Sequence, residues 1–169
     1  MREPGFAIKF FLLAIAQVVL WNFFNFTQYV MIAFMPVMIL CLPIRRGSIY
    51  AMILAFIAGF AVDFFSSGML GLTSLSLVPV AFARRGVIQL ICGEEVFSRA
   101  ENISIQRQGL PKMTLAIFIV TAIFLAVYIW ADGAGTRPLW FNLVKFGASL
   151  AASTLVSIFM ANLLEPDNR

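Results

Sequence analysis

The chain has 169 residues, of which 62% are hydrophobic and 12% are charged, and its formal net charge is +4. Its mean hydropathy is +0.95, so polar side chains are too few to cover a water-exposed surface, which excludes a soluble globular protein. The cations lie in short clusters between apolar runs, a pattern that orients membrane proteins and does not indicate nucleic-acid binding. The sequence therefore predicts a single polytopic membrane domain over residues 1–169.

Six apolar stretches are long enough to predict transmembrane helices, which need about 20 apolar residues each. They cover residues 6–24, 28–42, 48–65, 69–83, 113–130 and 139–164. Pro36 predicts a kink in the second helix, and the fourth helix is the shortest. We expect an all-α membrane protein, a compact bundle of six transmembrane helices.

The distribution of Lys and Arg predicts which connections face the cytoplasm. Cations flank the N-terminus, fill the second connection as Arg45 and Arg46, and recur through the connection at residues 84–112, whereas the first and third connections carry none. The positive-inside rule then places both termini and the 84–112 loop in the cytoplasm. The first half of this loop, RRGVIQLICGEEVF, is consistent with a solvated loop or with a continuation of the fourth helix along the membrane surface.

Asp63 is the one acidic residue within the six predicted spans. A carboxylate at membrane depth normally points into the bundle or toward water, because burying it in lipid is costly. Since SSG follows shortly after it, we expect Asp63 to accept hydrogen bonds from free backbone N–H groups of a fourth helix that begins near Ser67 or Gly68. Asp63 would then stabilise a tight turn at the outer surface; a proton or ion relay and a contact with another protein are the alternatives.

The sixth helix carries one cation and a run of small residues. Lys145 is expected either to extend toward the membrane surface or to pair with Asp63. The sequence GASLAAS repeats small residues four positions apart, which lets another helix approach closely, in this chain or in a partner. The repeated pairs are Gly147 and Ala151, Ala148 and Ala152, and Ser149 and Ser153.

The sequence shows no catalytic or metal-binding pattern. The chain has no histidine, and Cys41 and Cys92 lack the spacing of metal ligands. A rhomboid-like serine protease would need a histidine base, and an aspartyl intramembrane protease would need a second aspartate within the spans. We therefore predict that the protein is not an enzyme and binds no metal or cofactor.

The segment AFIAGFAVDFFSSGMLGLTSLSLVPVAFARR, residues 55–85, resembles the central signature of the MreD family of bacterial rod shape-determining membrane proteins. That signature is a small-residue helix with a glycine and a following aspartate, a Ser/Gly turn, a Leu-Gly pair and a second apolar helix that ends in basic residues. Met69 differs from the proline that the family often has there. The matching residues are Gly59, Asp63, Gly68, Leu70 and Gly71.

The resemblance implies a non-enzymatic scaffold of the cell-elongation (rod) complex in the bacterial inner membrane. It implies direct binding of the single-pass protein MreC and, through the complex, a link between MreB filaments and the peptidoglycan-synthesis enzymes that maintains cell shape. The family fold is similar to the substrate-binding subunit of energy-coupling-factor transporters, so a vitamin-like small-molecule binding subunit is the alternative. Those subunits usually present an AxxxA face on the first helix, which Ala7, Ala14 and Ala16 do not reproduce, and the scaffold is favoured.

Overall fold

A computed structural model describes residues 4–23, 30–42, 47–66, 69–93, 109–133 and 138–164 of the chain. These residues form six helices, in agreement with the predicted all-α architecture and helix count. The helices are α1 (Pro4–Phe23), α2 (Met35–Leu40), α3 (Ser48–Phe65), α4 (Leu72–Cys92), α5 (Leu110–Asp132) and α6 (Leu139–Leu164).

Four of the described helices are long and apolar enough to cross a membrane. The apolar stretches are Ser48–Phe65, Leu72–Ile91, Leu110–Asp132 and Leu139–Ala161. Their outward faces carry large apolar side chains, as on α3, where Ile53, Ile57 and Phe64 are exposed. Such a surface suits lipid and not water, so the protein is a multi-pass membrane protein.

The second predicted span differs from the structure. Residues 31–34 are not helical, and α2 has only six residues, so it is about 9 Å long and too short to cross a bilayer alone. Pro36 lies in the first turn of α2, where a backbone N–H would have no partner within the helix, so proline is tolerated. It therefore helps to begin this helix and does not kink a longer one. The prediction of a continuous helix over 28–42 is wrong.

This irregular second element lies inside the bundle. Every residue from 33 to 42 is buried, and α2 contacts α4, α5 and α6. Irregular backbone at membrane depth is tolerated where protein encloses it, because lipid offers no hydrogen-bond partners. The first predicted span is closer to expectation: α1 is apolar over Ile8–Asn22, although this stretch is shorter than the other four.

Two helix ends extend past the predicted spans. α4 continues beyond residue 83 to Cys92, so Arg84 and Arg85 are helical residues and not part of a loop. This confirms that the fourth helix continues through RRGVIQLIC, while its course along the membrane surface stays a prediction. α5 runs from Leu110 to Asp132, which brings Asp132 into a helix; residues 94–108 of the predicted loop lie outside the described residues.

The core lies where α2 meets the longer helices. α3 packs on α4, α4 on α5 and α5 on α6, while α1 contacts α2, α3 and α6. Phe34, Met38, Leu77, Ile117 and Phe124 are all fully buried there. These contacts fix the positions of the polar groups described next.

Candidate functional site

Asp63 joins the last turn of α3 to the first turn of α4. Its side chain is buried, and the residue is 3% exposed. Oδ2 accepts hydrogen bonds from the backbone N–H groups of Gly71 at 3.0 Å, Thr73 at 3.0 Å and Ser74 at 3.4 Å. Oδ1 accepts a further bond from the Thr73 N–H at 3.2 Å. Gly71, the residue that caps α4, has no side chain with which to accept these N–H groups, so Asp63 performs that role from another helix.

The hydrogen bonds predicted for Asp63 are therefore present, but the helix that donates them begins later than expected. α4 starts at Leu72, whereas the predicted span began at residue 69 and its capping by Asp63 assumed a start near Ser67 or Gly68; both of these residues lie outside the described part of the chain. An acidic group beside a helix N-terminus is also favoured by the helix dipole.

Two glycines of the same junction are required by its geometry. A Cβ atom on Gly59 would lie 2.7 Å from Ser74 Cα, so α3 and α4 can approach this closely only because the side chain is absent. Ser74 Oγ uses the close approach to donate a hydrogen bond to the Phe56 carbonyl oxygen at 3.2 Å. Gly71 has φ +91°, a left-handed conformation that other residues rarely adopt.

Side chains of α1 bind the non-helical segment, residues 31–34, like a short strand partner. Gln17 Nε2 donates to the Ile32 carbonyl at 3.1 Å, and Gln17 Oε1 accepts the Phe34 N–H at 3.0 Å. Trp21 Nε1 donates to the same Ile32 carbonyl at 2.7 Å. Gln17 is fully buried, so these bonds satisfy polar groups that have no access to water.

Two serines of α6 bind the other side of this segment. Ser149 Oγ accepts the Met31 N–H at 2.9 Å, and Ser153 Oγ accepts the Ala33 N–H at 3.0 Å. Ser153 Oγ also donates to the Met31 carbonyl oxygen at 3.1 Å. Five backbone groups of the segment, the N–H groups of Met31, Ala33 and Phe34 and the carbonyls of Met31 and Ile32, are thus bonded to side chains of α1 or α6.

Arg84 caps the C-terminal end of α2. Its Nε donates to the Leu40 carbonyl at 3.1 Å, and its Nη2 donates to the Leu42 carbonyl. Arg84 is 5% exposed, so a buried cation meets the negative end of the short helix and the carbonyls that the helix leaves free. The sequence placed this arginine in a cytoplasmic loop; it is instead part of the core.

Lys145 pairs with Asp132 and not with Asp63. The Lys145 Nζ to Asp132 Oδ2 distance is 3.1 Å, and the two side chains are 11% and 25% exposed. The prediction of an Asp63–Lys145 pair is wrong, because α5 extends past the apolar run to Asp132 and Asp63 is already bound to the N-terminus of α4.

The three interleaved small-residue pairs of α6 have different surroundings. Ser149 and Ser153 are fully buried against the non-helical segment, whereas Gly147 and Ala151 are exposed and Ala148 and Ala152 are half-buried. A Cβ on Gly147 would meet no atom within 4 Å. Close contact within the chain is therefore made through the serine pair, and the exposed pair Gly147 and Ala151 makes no such contact within the described residues.

Sequence reasoning missed four of the side chains in this network. Gln17 and Trp21 lie in an apolar helix, Arg84 lies beyond the predicted end of α4, and Asp132 lies beyond the predicted end of α5. Gln17 alone had a detectable pattern, since an amide within a predicted span usually bonds to a neighbouring helix or segment.

The charged side chains of this network have structural partners. Among these residues, no group of three or more Cys, Asp or Glu side chains is placed to hold a metal ion. Asp63, Arg84 and Lys145 each bind a helix end or an opposite charge. The fold and this network define a class: a multi-pass helical membrane protein whose described bundle encloses a non-helical segment, residues 31–34, and the short helix α2.

Comparison with models of known protein families, with curated proteins and with solved structures finds no match to this chain.

Proposed function

We propose that this protein is a non-enzymatic scaffold of the bacterial cell-elongation complex, with the role that its resemblance to the MreD family implies. In this role it lies in the inner membrane with both termini in the cytoplasm. It binds MreC directly and, through the complex, links MreB filaments to peptidoglycan synthesis.

The residues that carry the resemblance support the proposal through their structural roles. Gly59 permits the close approach of α3 and α4, Asp63 caps α4, and Gly71 supplies the left-handed residue at which α4 begins. A motif whose members build one helical junction is suited to a scaffold. Its carboxylate is already hydrogen bonded to backbone N–H groups, which supports a structural role for it over a chemical one.

The observation that carries the proposed partner contact is the exposed small-residue face of α6. Gly147 and Ala151 are one helical turn apart, both are exposed, and the space next to Gly147 is open. Small residues at this spacing let a second transmembrane helix approach the backbone closely. We assign this face to the transmembrane helix of a single-pass protein such as MreC.

The alternative, a vitamin-binding transport subunit, has less support. Discontinuous helices in transporters bind substrates through their free backbone groups. In this protein, five backbone groups of the non-helical segment already bond to Gln17, Trp21, Ser149 and Ser153. A ligand would have to displace those side chains.

Co-purification from membranes in mild detergent tests the proposal. The parent protein should retain a single-pass partner with a coiled coil, and Gly147→Leu or Ala151→Leu should reduce its recovery several-fold. Because both positions are exposed, these variants should accumulate in the membrane as the parent does.

Ala61→Leu on α3 is the matched control, since Ala61 is also an exposed alanine on a membrane-spanning helix. It should leave recovery of the partner unchanged. Equal recovery with all three variants would show that the α6 face contacts only lipid, and a bound vitamin without a protein partner would favour the transport subunit.

A further inference from the structure

Two buried hydroxyl groups on α5 and α6 have no hydrogen-bond partner among the described residues. They are Thr121 Oγ1 on α5 and Ser157 Oγ on α6, and both residues are 0% exposed. Leaving a buried hydroxyl unpaired costs on the order of 1–3 kcal/mol, so two such groups need an explanation.

Other hydroxyls in these helices show what an ordinary helical Ser or Thr does. Ser76 donates to the Leu72 carbonyl at 2.9 Å, Thr114 to the Leu110 carbonyl at 2.8 Å and Thr154 to the Leu150 carbonyl at 2.6 Å. Each bonds to the carbonyl one turn back in its own helix. Thr121 and Ser157 do not make this bond, so both hydroxyls remain available to another partner.

Thr121 and Ser157 lie at nearly the same depth in the bundle. α5 and α6 pack against each other, and their adjacent ends meet where Asp132 pairs with Lys145 and where a Cβ on Gly133 would lie 2.8 Å from Asn142 Nδ2. Following the two antiparallel helices from these contacts, at equal rise per residue, places Thr121 opposite about residues 154–156. That level lies between Ser153 and Ser157.

The same level borders the non-helical segment. Ser153 is hydrogen bonded to both Met31 and Ala33, and Lys145, Ser149, Ser153 and Ser157 form one buried row along α6. Three members of this row bond to protein groups, and Ser157 is the member whose partner is missing. The row is therefore fully hydrogen bonded except at Ser157, which lies near the level of Thr121.

We propose that Thr121 and Ser157 bind one enclosed water molecule between α5 and α6, next to the start of α2. Water suits the site because each hydroxyl can donate or accept, and enclosed water typically bonds to otherwise unsatisfied buried groups. Thr73 Oγ1 and Asn142 Oδ1 are also unpartnered, but Thr73 lies in the first turn of α4 and Asn142 lies beside Gly133, so neither belongs to this site.

Thermal unfolding of isosteric variants tests the site by the sign of the shift. If water fills it, Thr121→Val and Ser157→Ala each break a bond to that water and should lower Tm by about 2–4 °C. Because the two hydroxyls share one water, the double variant should be no less stable than the worse single variant. Thr154→Val and Ser76→Ala, whose hydroxyls bond only to their own helices, are the matched controls and should shift Tm less.

Three results would overturn the proposal. An unchanged or raised Tm in the single variants would mean that the hydroxyls are buried without water, so that removing them relieves a penalty. Additive losses in the double variant would mean two separate sites. A parent Tm that rises with Na⁺ or K⁺ relative to choline, with this dependence lost in Thr121→Val, would assign the site to a monovalent cation.

Discussion

The carboxylate of Asp63 binds the backbone N–H of Thr73 with both of its oxygens, at 3.0 and 3.2 Å from the nitrogen. This one relationship ties the end of α3 to the beginning of α4, because Gly71 cannot cap the helix itself. The acidic residue in the apolar sequence GFAVDFFSSGMLG therefore binds the start of the next helix, as its position in the sequence predicted.

Substitution of Asp63 separates capping from proton transfer. Asp63→Asn should lower the free energy of unfolding only modestly, because its amide oxygen still accepts hydrogen bonds from the N–H groups. Asp63→Leu should lower the free energy of unfolding by about 1–3 kcal/mol and reduce membrane abundance. Thermal unfolding in detergent and quantified membrane levels provide the measurement. A folded, abundant Asp63→Asn protein that fails to support rod shape would instead indicate a proton or ion relay.

The contact between Gly59 and Ser74 predicts a sharp size limit. Gly59→Ala would place its Cβ 2.7 Å from the Ser74 backbone, so α3 and α4 must separate. We expect the free energy of unfolding to fall by about 1–3 kcal/mol. Gly147→Ala is the matched control, because its Cβ would meet nothing within 4 Å. Equal unfolding temperatures for the two variants would contradict the close approach of α3 and α4.

Arg84 should control access to Cys41, which lies between the two carbonyls that the arginine binds. Cys41 is buried at 8% exposure. Replacing Arg84 with Gln removes a charged donor from the end of α2, so labelling of Cys41 by a maleimide in a Cys92→Ser background should accelerate several-fold. Arg85→Gln, at an exposed neighbouring position, should leave the rate nearly unchanged; equal acceleration by both variants would exclude a specific role for Arg84.

The proposed orientation predicts which engineered cysteines face outward. In a cysteine-free variant, cysteines at Asn25, Ser67 and Gly135 should react with a membrane-impermeant thiol reagent applied to intact cells, and one at Gln106 should not. Permeabilised cells serve as the positive control for Gln106. Labelling of Gln106 in intact cells would reverse the orientation.

The amino-acid sequence determined the membrane class, the positions of the four long apolar helices and the binding of Asp63 to the start of α4. These features depend on local chemistry: the length of an apolar run sets a helix that can cross a membrane, and a carboxylate close in sequence to a helix start is within reach of its free N–H groups. Asp63 and Thr73 are only 10 residues apart.

Tertiary structure decided the features that depend on distant partners. The apolar run before Pro43 has no local mark at residues 31–34. This segment is non-helical where Gln17, Ser149 and Ser153 supply hydrogen bonds, the serines from 118 and 120 residues away. Likewise, GASLAAS offered three equivalent small-residue pairs, and burial on the α1–α2 side selected Ser149 and Ser153. An apolar pattern specifies which residues avoid water, but hydrogen bonds between distant helices determine which backbone remains helical inside the bundle.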